Sequence, residues 1–328
     1  MANYAFRRLL QLIPMLIGIT FLSFAMMRVA GSDAVEEMYS NAGAAVSQEV
    51  IDAARADLGL DKPFLTQYVA WLGGALRGDM GVSYISGRNV FDTFVSKLPA
   101  TLLLTGLSIA LTVILSIPLG VLAAVTYDCS QKERDGFRRF LYALADGIIR
   151  LFSFVGNSLP NFFVALLLMN LFALRLKLLP VIATGVTWKS AVMPTLTLAI
   201  AMSAKYLRQV RAAVLEELNQ EYVIGAKARG VRPAVILWKS ALRASLLPVV
   251  TLLALSVGSL LGGTAIVESI FMWDGVGKLA VDAITMRDYP LIQAYVVWMA
   301  VIYVMVNLAT DLLYHALDPR VRLGARTE

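Results

Sequence analysis

The residues that could perform catalysis in this chain are few, and they do not occur at catalytic spacings. Of its 328 residues one is a cysteine, Cys129, and one a histidine, His315, so no His/Cys cage for a transition metal can form. The stretch Gly275-Val276-Gly277-Lys278 lacks the frame G-x-x-x-x-G-K-[ST] of a phosphate-binding loop, and H-E-x-x-H and G-x-S-x-G are absent. The sequence therefore predicts no catalytic residue, no metal site and no ATP site of its own.

The spacing of small residues between 208 and 233 suggests a different kind of function. Gly225, Ala226 and Ala228 precede Gly230, and glycine is a common stop for a helix. A second helix is predicted to begin near Pro233. Two short helices joined at a glycine would make a compact knob whose small side chains let a partner approach the backbone closely.

The composition shows which class of protein contains this knob. Apolar residues make up 58% of the chain and charged residues 16%, against about 45–50% and about 25% in soluble domains. This excess rules out a water-soluble enzyme and identifies an integral membrane protein. The net charge of +6 is explained by membrane topology, so it does not indicate nucleic-acid binding.

Six stretches are long and apolar enough to cross a bilayer as helices. They are residues 9–29, 100–125, 148–174, 191–210, 245–267 and 292–314. The first is longer than the apolar part of a signal peptide, which favours an uncleaved span. Lys and Arg are concentrated in segments that place both termini in the cytoplasm. We therefore predict an all-α integral membrane protein with about six transmembrane helices, forming one permease domain over 1–328.

The loop after the first span, residues 31–98, is too long to be a simple connector. Residues 47–58 open with a serine suited to capping a helix, and Phe64, Tyr68, Trp71 and Leu72 fall on one face of a second helix. We predict a small extracytoplasmic helical insertion resting on the membrane surface. Tyr68 and Trp71 could instead be simple interfacial anchors, and both interpretations can hold together.

Several motifs, in the same order along nearly the whole chain, resemble one family. They are Leu98-Pro99-Ala100-Thr101-Leu102, Ser158-Leu159-Pro160-Asn161-Phe162, Glu221-Tyr222-Val223 with Ala226-Lys227-Ala228-Arg229-Gly230, Ala241-Leu242-Arg243-Ala244-Ser245-Leu246-Leu247-Pro248, Gly275-Val276-Gly277, Asp288-Tyr289-Pro290 and Leu317-Asp318-Pro319-Arg320. This set resembles permeases of ABC importers, in the dipeptide/oligopeptide/nickel branch and of its first-permease type. Ile224-Gly225-Ala226 stands where ABC importers at large have E-A-A, as is typical of this branch. Asp274 departs from the branch, which usually has proline there.

The resemblance implies a transmembrane permease subunit in the bacterial cytoplasmic (inner) membrane, which takes up peptides, nickel or metal chelates by alternating access. Its implied partners are a second homologous permease, two cytoplasmic ABC ATPases that carry ATP and Mg²⁺, an extracytoplasmic solute-binding protein and membrane lipid, with no nucleic acid. Residues 211–244 would be the coupling loop that docks in the ATPase. Its implied contact residues are Glu221, Tyr222, Gly225, Ala226, Ala228, Arg229, Gly230 and Val231.

Polar and small residues inside the spans are candidates for a solute path, since such residues usually face protein or water. The candidates are Asn157, Ser158, Asn161, Gly258, Ser259, Gly262 and Glu268. Close helix packing is the alternative for the glycines and for the asparagines. For the whole chain, the alternatives are a stand-alone ion-coupled transporter or channel, and a membrane-anchored scaffold without solute dependence.

Overall fold

The computed structural model describes residues 2–29, 39, 47–57 and 61–317, and these residues are predominantly helical. Within these ranges the only β-pairing is an isolated bridge between Val82 and Asn89. In chain order the helices are α1 (Ala2–Val29), α2 (Gln48–Asp57), α3 (Phe64–Ala75), α4 (Val90–Lys132), α5 (Gly136–Ser158), α6 (Asn161–Leu168), α7 (Trp188–Leu218), α8 (Glu221–Ala228), α9 (Pro233–Val235), α10 (Leu242–Gly263), α11 (Ala265–Phe271), α12 (Val276–Thr285) and α13 (Tyr289–Leu317). Two π-helical segments, Met169–Arg175 and Ile236–Ala241, extend α6 and α9.

Three helices in the described part of the chain are long and apolar enough to cross a membrane. They are Val90–Lys132, Gly136–Ser158 and Tyr289–Thr310. A fourth crossing is obtained if Pro233–Leu246 and Pro248–Gly262, which are bent by 42°, count as one span. Ile13–Met27 and Asn161–Arg175 are shorter apolar helices. A mostly helical fold with several apolar span candidates is therefore confirmed for the described residues, whereas the count of six spans and the cytoplasmic termini stay predictions.

The third predicted span, 148–174, is wrong as a single helix. α5 begins earlier, at Gly136, and ends at Ser158. Leu159 is extended, because the ring of the following Pro160 disfavours the helical conformation for the residue before it. The apolar pattern on both sides of the break is continuous, so hydropathy alone could not locate the interruption.

The fifth predicted span, 245–267, is also interrupted. α10 ends at Gly263, and α11 starts at Ala265 after Thr264. The fourth predicted span, 191–210, lies within α7, which continues to Leu218, so the first residues of the predicted coupling loop belong to the same helix. α7 is not among the described helices that are apolar enough to cross a membrane, so this span stays a prediction.

The chain divides into two compact units, which are described separately. The first unit comprises Met1–Leu102 and Leu261–Leu308. Its core is formed by Met80, Val90, Ala283, Leu291 and Ala294. The second unit comprises Leu103–Leu260 and Ala309–Glu328, with a core formed by Val121, Ala124, Tyr206, Val210, Val214, Leu242, Val249 and Leu253.

In the first unit the inserted helices α2 and α3 form where the sequence predicts them. The aromatic face of α3 packs against α1: the ring of Tyr68 lies 5.3 Å from that of Phe21, and Trp71 lies 6.0 Å from Phe24. The Tyr68 hydroxyl is 2.9 Å from the Thr20 hydroxyl. Tyr68 is therefore an anchor between helices, which explains its burial better than contact with lipid headgroups.

In the second unit two glycines bring helices into close contact with α7. A Cβ on Gly120 of α4 would lie 2.6 Å from the Cβ of Val210. A Cβ on Gly156 of α5 would lie 2.9 Å from the Cβ of Ala204. Real Cβ contacts do not reach these distances, so α7 lies against α4 and α5 only because both positions lack a side chain.

Candidate coupling loop and translocation residues

The predicted coupling loop, residues 211–244, contains α8 and the turn that follows it. α8 runs from Glu221 to Ala228 and packs against the π-helical segment Ile236–Ala241. Val223 is fully buried and so anchors one face of α8. The other residues of α8 are exposed or half-buried, which leaves most of this helix open to a partner.

The turn after α8 is built on Gly230, as the sequence predicts. Gly230 has a φ of +77°, a left-handed conformation that favours glycine. Its N–H donates to the Lys227 carbonyl at 3.0 Å, and the Val231 N–H donates to the Ala226 carbonyl at 3.1 Å. This pair of bonds is a Schellman motif, which satisfies the last carbonyls of the helix. The angle between α8 and the next segment is thus fixed by backbone hydrogen bonds.

Large apolar side chains are exposed on this loop. We call this set the loop patch: Tyr222, Ile224, Val231, Val235 and Trp238. The side chain of Trp238 is 59% exposed and that of Ile224 60%. The exposure of Tyr222, Ile224 and Val231 on α8 and its turn fits the docking predicted for this loop. Val235 and Trp238 also lie in Pro233–Leu246, one half of the bent span candidate. The sequence-based set contains Tyr222 and Val231 but misses the other three, which only the backbone conformation identifies as outward-facing.

Packing against the described residues does not require a glycine at position 225 of α8. A Cβ on Gly225 would meet only the flexible end of Arg229, at 3.6 Å. Ala226 is half-buried and Ala228 is exposed. Since no described residue crowds Gly225, close approach of a partner is a sufficient reason for its small size.

Charges on α8 complement its dipole. Glu221 lies in the first turn and Lys227 in the last, which places a negative charge at the helix N-terminus and a positive one at its C-terminus. The Tyr222 hydroxyl donates to Glu217 Oε2 at 2.7 Å. Partial burial and this carboxylate raise the pKa of Tyr222 to about 12, so its phenol is neutral at physiological pH.

Three of the predicted path residues surround the break between α5 and α6. Asn157 and Ser158 end α5 and Asn161 starts α6, and all three are exposed. The Ser158 hydroxyl donates to the Phe154 carbonyl at 2.8 Å, whereas no described residue bonds the two asparagine amides. Exposed amides within an apolar segment must face another subunit or water, because lipid cannot satisfy them.

The glycines of α10 differ from each other. Gly258 is buried, whereas Gly262 is exposed and has nothing within 4 Å of its Cβ direction. Ser259 lies on the same helix, between them. Close packing against the described part of the chain therefore does not explain Gly262.

Glu268, predicted to line the path, is fully buried in the first unit. Its Oε1 accepts a hydrogen bond from the Thr101 hydroxyl at 2.7 Å, and its Oε2 accepts one from the backbone N–H of Lys278 at 2.9 Å. The Val276 N–H donates to Thr101 at 2.9 Å. The carboxylate therefore caps the N-terminus of α12, where the helix dipole favours negative charge. Both oxygens are occupied, so Glu268 belongs to this cap.

Two glycines make the cap possible. A Cβ on Gly275 would collide with Glu268 Oε2, and one on Gly277 would lie 2.8 Å from the same atom. The neighbouring Trp273 is fully buried, and its indole N–H donates to the Ala100 carbonyl at 3.0 Å. The sequence singles out the Gly275-Val276-Gly277 motif but does not reveal its structural role.

Within the described residues no group of three or more His, Cys, Asp and Glu side chains could hold a metal ion.

The described residues form a mostly helical structure with several apolar helices, as a membrane-embedded transport component requires. The chain belongs to the family of binding-protein-dependent transport system inner membrane components, whose model matches residues 116–323. The model of the N-terminal part of such membrane components matches residues 1–105.

Full-length relatives support this assignment. The glutathione transport system permease protein GsiC of Pectobacterium atrosepticum is 37% identical over 322 residues, which cover 98% of this chain and 99% of that protein. The GsiC protein of Escherichia coli K12 is 35% identical over the same coverage.

Solved structures support the fold. Inward-facing structures of the MetNI methionine ABC transporter match with TM-scores of 0.56 and 0.52, at 18% and 19% identity. Each match covers 69% of this chain and 96% of the other. Together with the relatives, these findings establish a permease subunit of an ABC importer in the bacterial inner membrane, which works with ATPase and solute-binding partners.

Proposed function

We propose that this permease takes up short peptides of the glutathione type. The observation that carries the proposal is the identity of 37% with a glutathione permease along nearly the whole length of both chains. The exposed amides of Asn157 and Asn161 fit such a solute, because an amide can both donate to and accept from peptide groups. Nickel and metal chelates, the other cargoes of this branch, have no comparable support.

The assembly we propose contains a second homologous permease and two ATPases. This chain would contribute six spans with both termini in the cytoplasm, and ATP and Mg²⁺ would bind the ATPases, so this subunit is not itself an enzyme. The loop patch and the small residues Gly225, Ala226 and Ala228 support docking of α8 in an ATPase cleft. ATP must favour the outward-open state, since a ligand shifts an equilibrium only through differential affinity.

The path we propose is shared with the second permease. Asn157, Ser158 and Asn161 support it by exposing polar groups at a break in an apolar segment. Gly262 adds an exposed position without a side chain. Gly258 and Ser259 are assigned to the same role by their place on α10.

Uptake of labelled glutathione by the reconstituted importer tests the substrate. We expect ATP-dependent uptake that unlabelled glutathione and other tripeptides reduce and that Ni²⁺ does not. Uptake of Ni²⁺ alone, with no uptake of glutathione, would contradict the proposal.

The substrate-free complex, purified from its native membrane, should contain a second permease and ATPases. A purified chain that transports glutathione without ATP would instead identify a stand-alone transporter.

A further inference from the structure

The carboxylate of Asp146 binds two arginines inside the second unit. Its side chain, on α5, is only 2% exposed. Arg211 of α7 donates from Nε to Oδ1 at 3.0 Å and from Nη2 to Oδ2 at 3.3 Å. Arg150, one turn along α5, places its Nε 3.0 Å from Oδ2. The bond from Arg211 is bidentate, which fixes the orientation of both groups as well as their distance.

The guanidinium of Arg211 also contacts a third helix. Its central carbon lies 4.8 Å from the centre of the Tyr127 ring, on α4. This distance is within the range of a cation–π interaction. We call these four residues, Tyr127, Asp146, Arg150 and Arg211, the guanidinium clamp. One side chain of α7 thus holds both α4 and α5.

Contacts farther along α7 keep the same three helices together. The Ser153 hydroxyl of α5 donates to the Ala204 carbonyl of α7 at 2.6 Å. Gly156 and Gly120 admit α7 at contact distances that no side chain would allow. Packing of this kind resists separation but still allows small sliding and rotation, whereas a buried bidentate ion pair is directional. The clamp therefore adds a constraint that the apolar contacts lack.

The clamp lies at the end of α7 that leads into the predicted coupling loop, where a movement of that loop would be passed to the other helices. Arg211 is on the part of α7 that continues to Leu218, and α8 follows after a short turn. A displacement of α8 can reach α7 along the chain and also through the segment Ile236–Ala241, which contacts both helices. A free α7 would rotate or slide, while a clamped α7 moves α4 and α5 with it.

We propose that Asp146 and Arg211 are positioning residues for energy coupling: they make α4, α5 and α7 move as one body when the ATPases displace α8. The inference rests on the proposed role of residues 211–244 as the coupling loop. It does not depend on the identity of the cargo. A purely structural clamp would affect assembly and thermal stability but not the conformational response to ATP.

Cysteine accessibility in the complete importer tests this inference without cargo. In a Cys129→Ser background, Asn161→Cys provides the one thiol of this subunit, near the break after α5. Its rate of modification by a maleimide, resolved by separating the subunits on a gel, is measured without nucleotide and after trapping with ATP and vanadate. We expect Asp146→Asn to reduce the ATP-dependent change in rate by at least about fivefold, a usual lower range for coupling between sites. ATP hydrolysis by the same complex should persist.

Two further variants make the result decisive. Asp128→Asn removes an exposed ion pair with Lys132 on α4 and should leave the change in rate intact. Tyr127→Leu removes the ring contact without leaving a buried charge unpaired, so it reports on coupling even if Asp146→Asn fails to assemble. An unchanged response in assembled Asp146→Asn or in Tyr127→Leu would overturn the proposal. So would an equal loss in Asp128→Asn, which would mean that any ion pair at this end has the same effect.

Discussion

Two segments of the chain require glycine at particular positions. Gly230 turns the chain after α8 through a left-handed conformation, whereas Gly275 and Gly277 leave room for the Glu268 carboxylate. The first requirement concerns backbone conformation and the second concerns volume. The two requirements therefore predict different responses to substitution.

Replacement of Gly230 by valine should uncouple ATP hydrolysis from uptake. A β-branched residue in a left-handed conformation costs about 1–3 kcal/mol, which would open the turn and change the direction of the following segment. The measurement is the amount of glutathione taken up per ATP hydrolysed by the reconstituted importer. Gly230→Asn is the matched control, because asparagine tolerates this conformation, and it should retain most of the coupling. Normal coupling in the valine variant would remove this turn from the mechanism.

Replacement of Glu268 by alanine should destabilise the first unit. The N–H of Lys278 would lose its acceptor, and an unsatisfied buried group costs about 1–3 kcal/mol. The fraction of purified complex that stays folded after heating measures the effect. Asp274→Asn breaks only the exposed pair with Lys97 and should change stability by less than about 1 kcal/mol. Equal stability of the two variants would contradict the role of Glu268 as a helix cap.

At the scale of helices, periodicity and helix-stop residues predicted α2, α3, α8 and the turn at Gly230, because local sequence determines these features. The clamp was not predictable, since Asp146 and Arg211 are 65 residues apart and no local pattern pairs them. Glu268 was misplaced for the same reason: its partner Thr101 is 167 residues away. A polar residue in an apolar segment indicates that a partner exists, but tertiary structure decides whether the partner is solute or protein.

Gly120 should be the most sensitive glycine of α4. A methyl group there would collide with Val210, and the backbone carbonyl of Leu207 lies 3.0 Å from the same position, so the collision cannot be relieved by side-chain rotation alone. We expect Gly120→Ala to lower the temperature at which the complex loses its folded state. Gly106→Ala on the same helix has open space and a gain in helix propensity of about 1 kcal/mol, so it should not lower that temperature. Equivalent melting of both variants would show that α4 and α7 can separate at little cost.

For the whole molecule, the central question is where solute passes. Replacing Asn157 and Asn161 together by leucine should reduce uptake while assembly with the partner subunits is retained, because both side chains are exposed and bond no described residue. Co-purification measures assembly, and labelled glutathione measures uptake. The double glutamine variant preserves the amides and should keep more activity than the leucine variant. Full uptake by the leucine variant would exclude these residues from the path.

The guanidinium clamp also has a practical consequence for handling the purified protein. Asp146 supplies one negative charge for two arginines, and the Arg150 side chain remains 59% exposed on an apolar helix. An exposed positive charge attracts acidic phospholipids such as phosphatidylglycerol where it meets the lipid headgroups. Uncharged detergents strip away such lipids, so preparations supplemented with phosphatidylglycerol should stay monodisperse for longer than preparations in uncharged detergent alone.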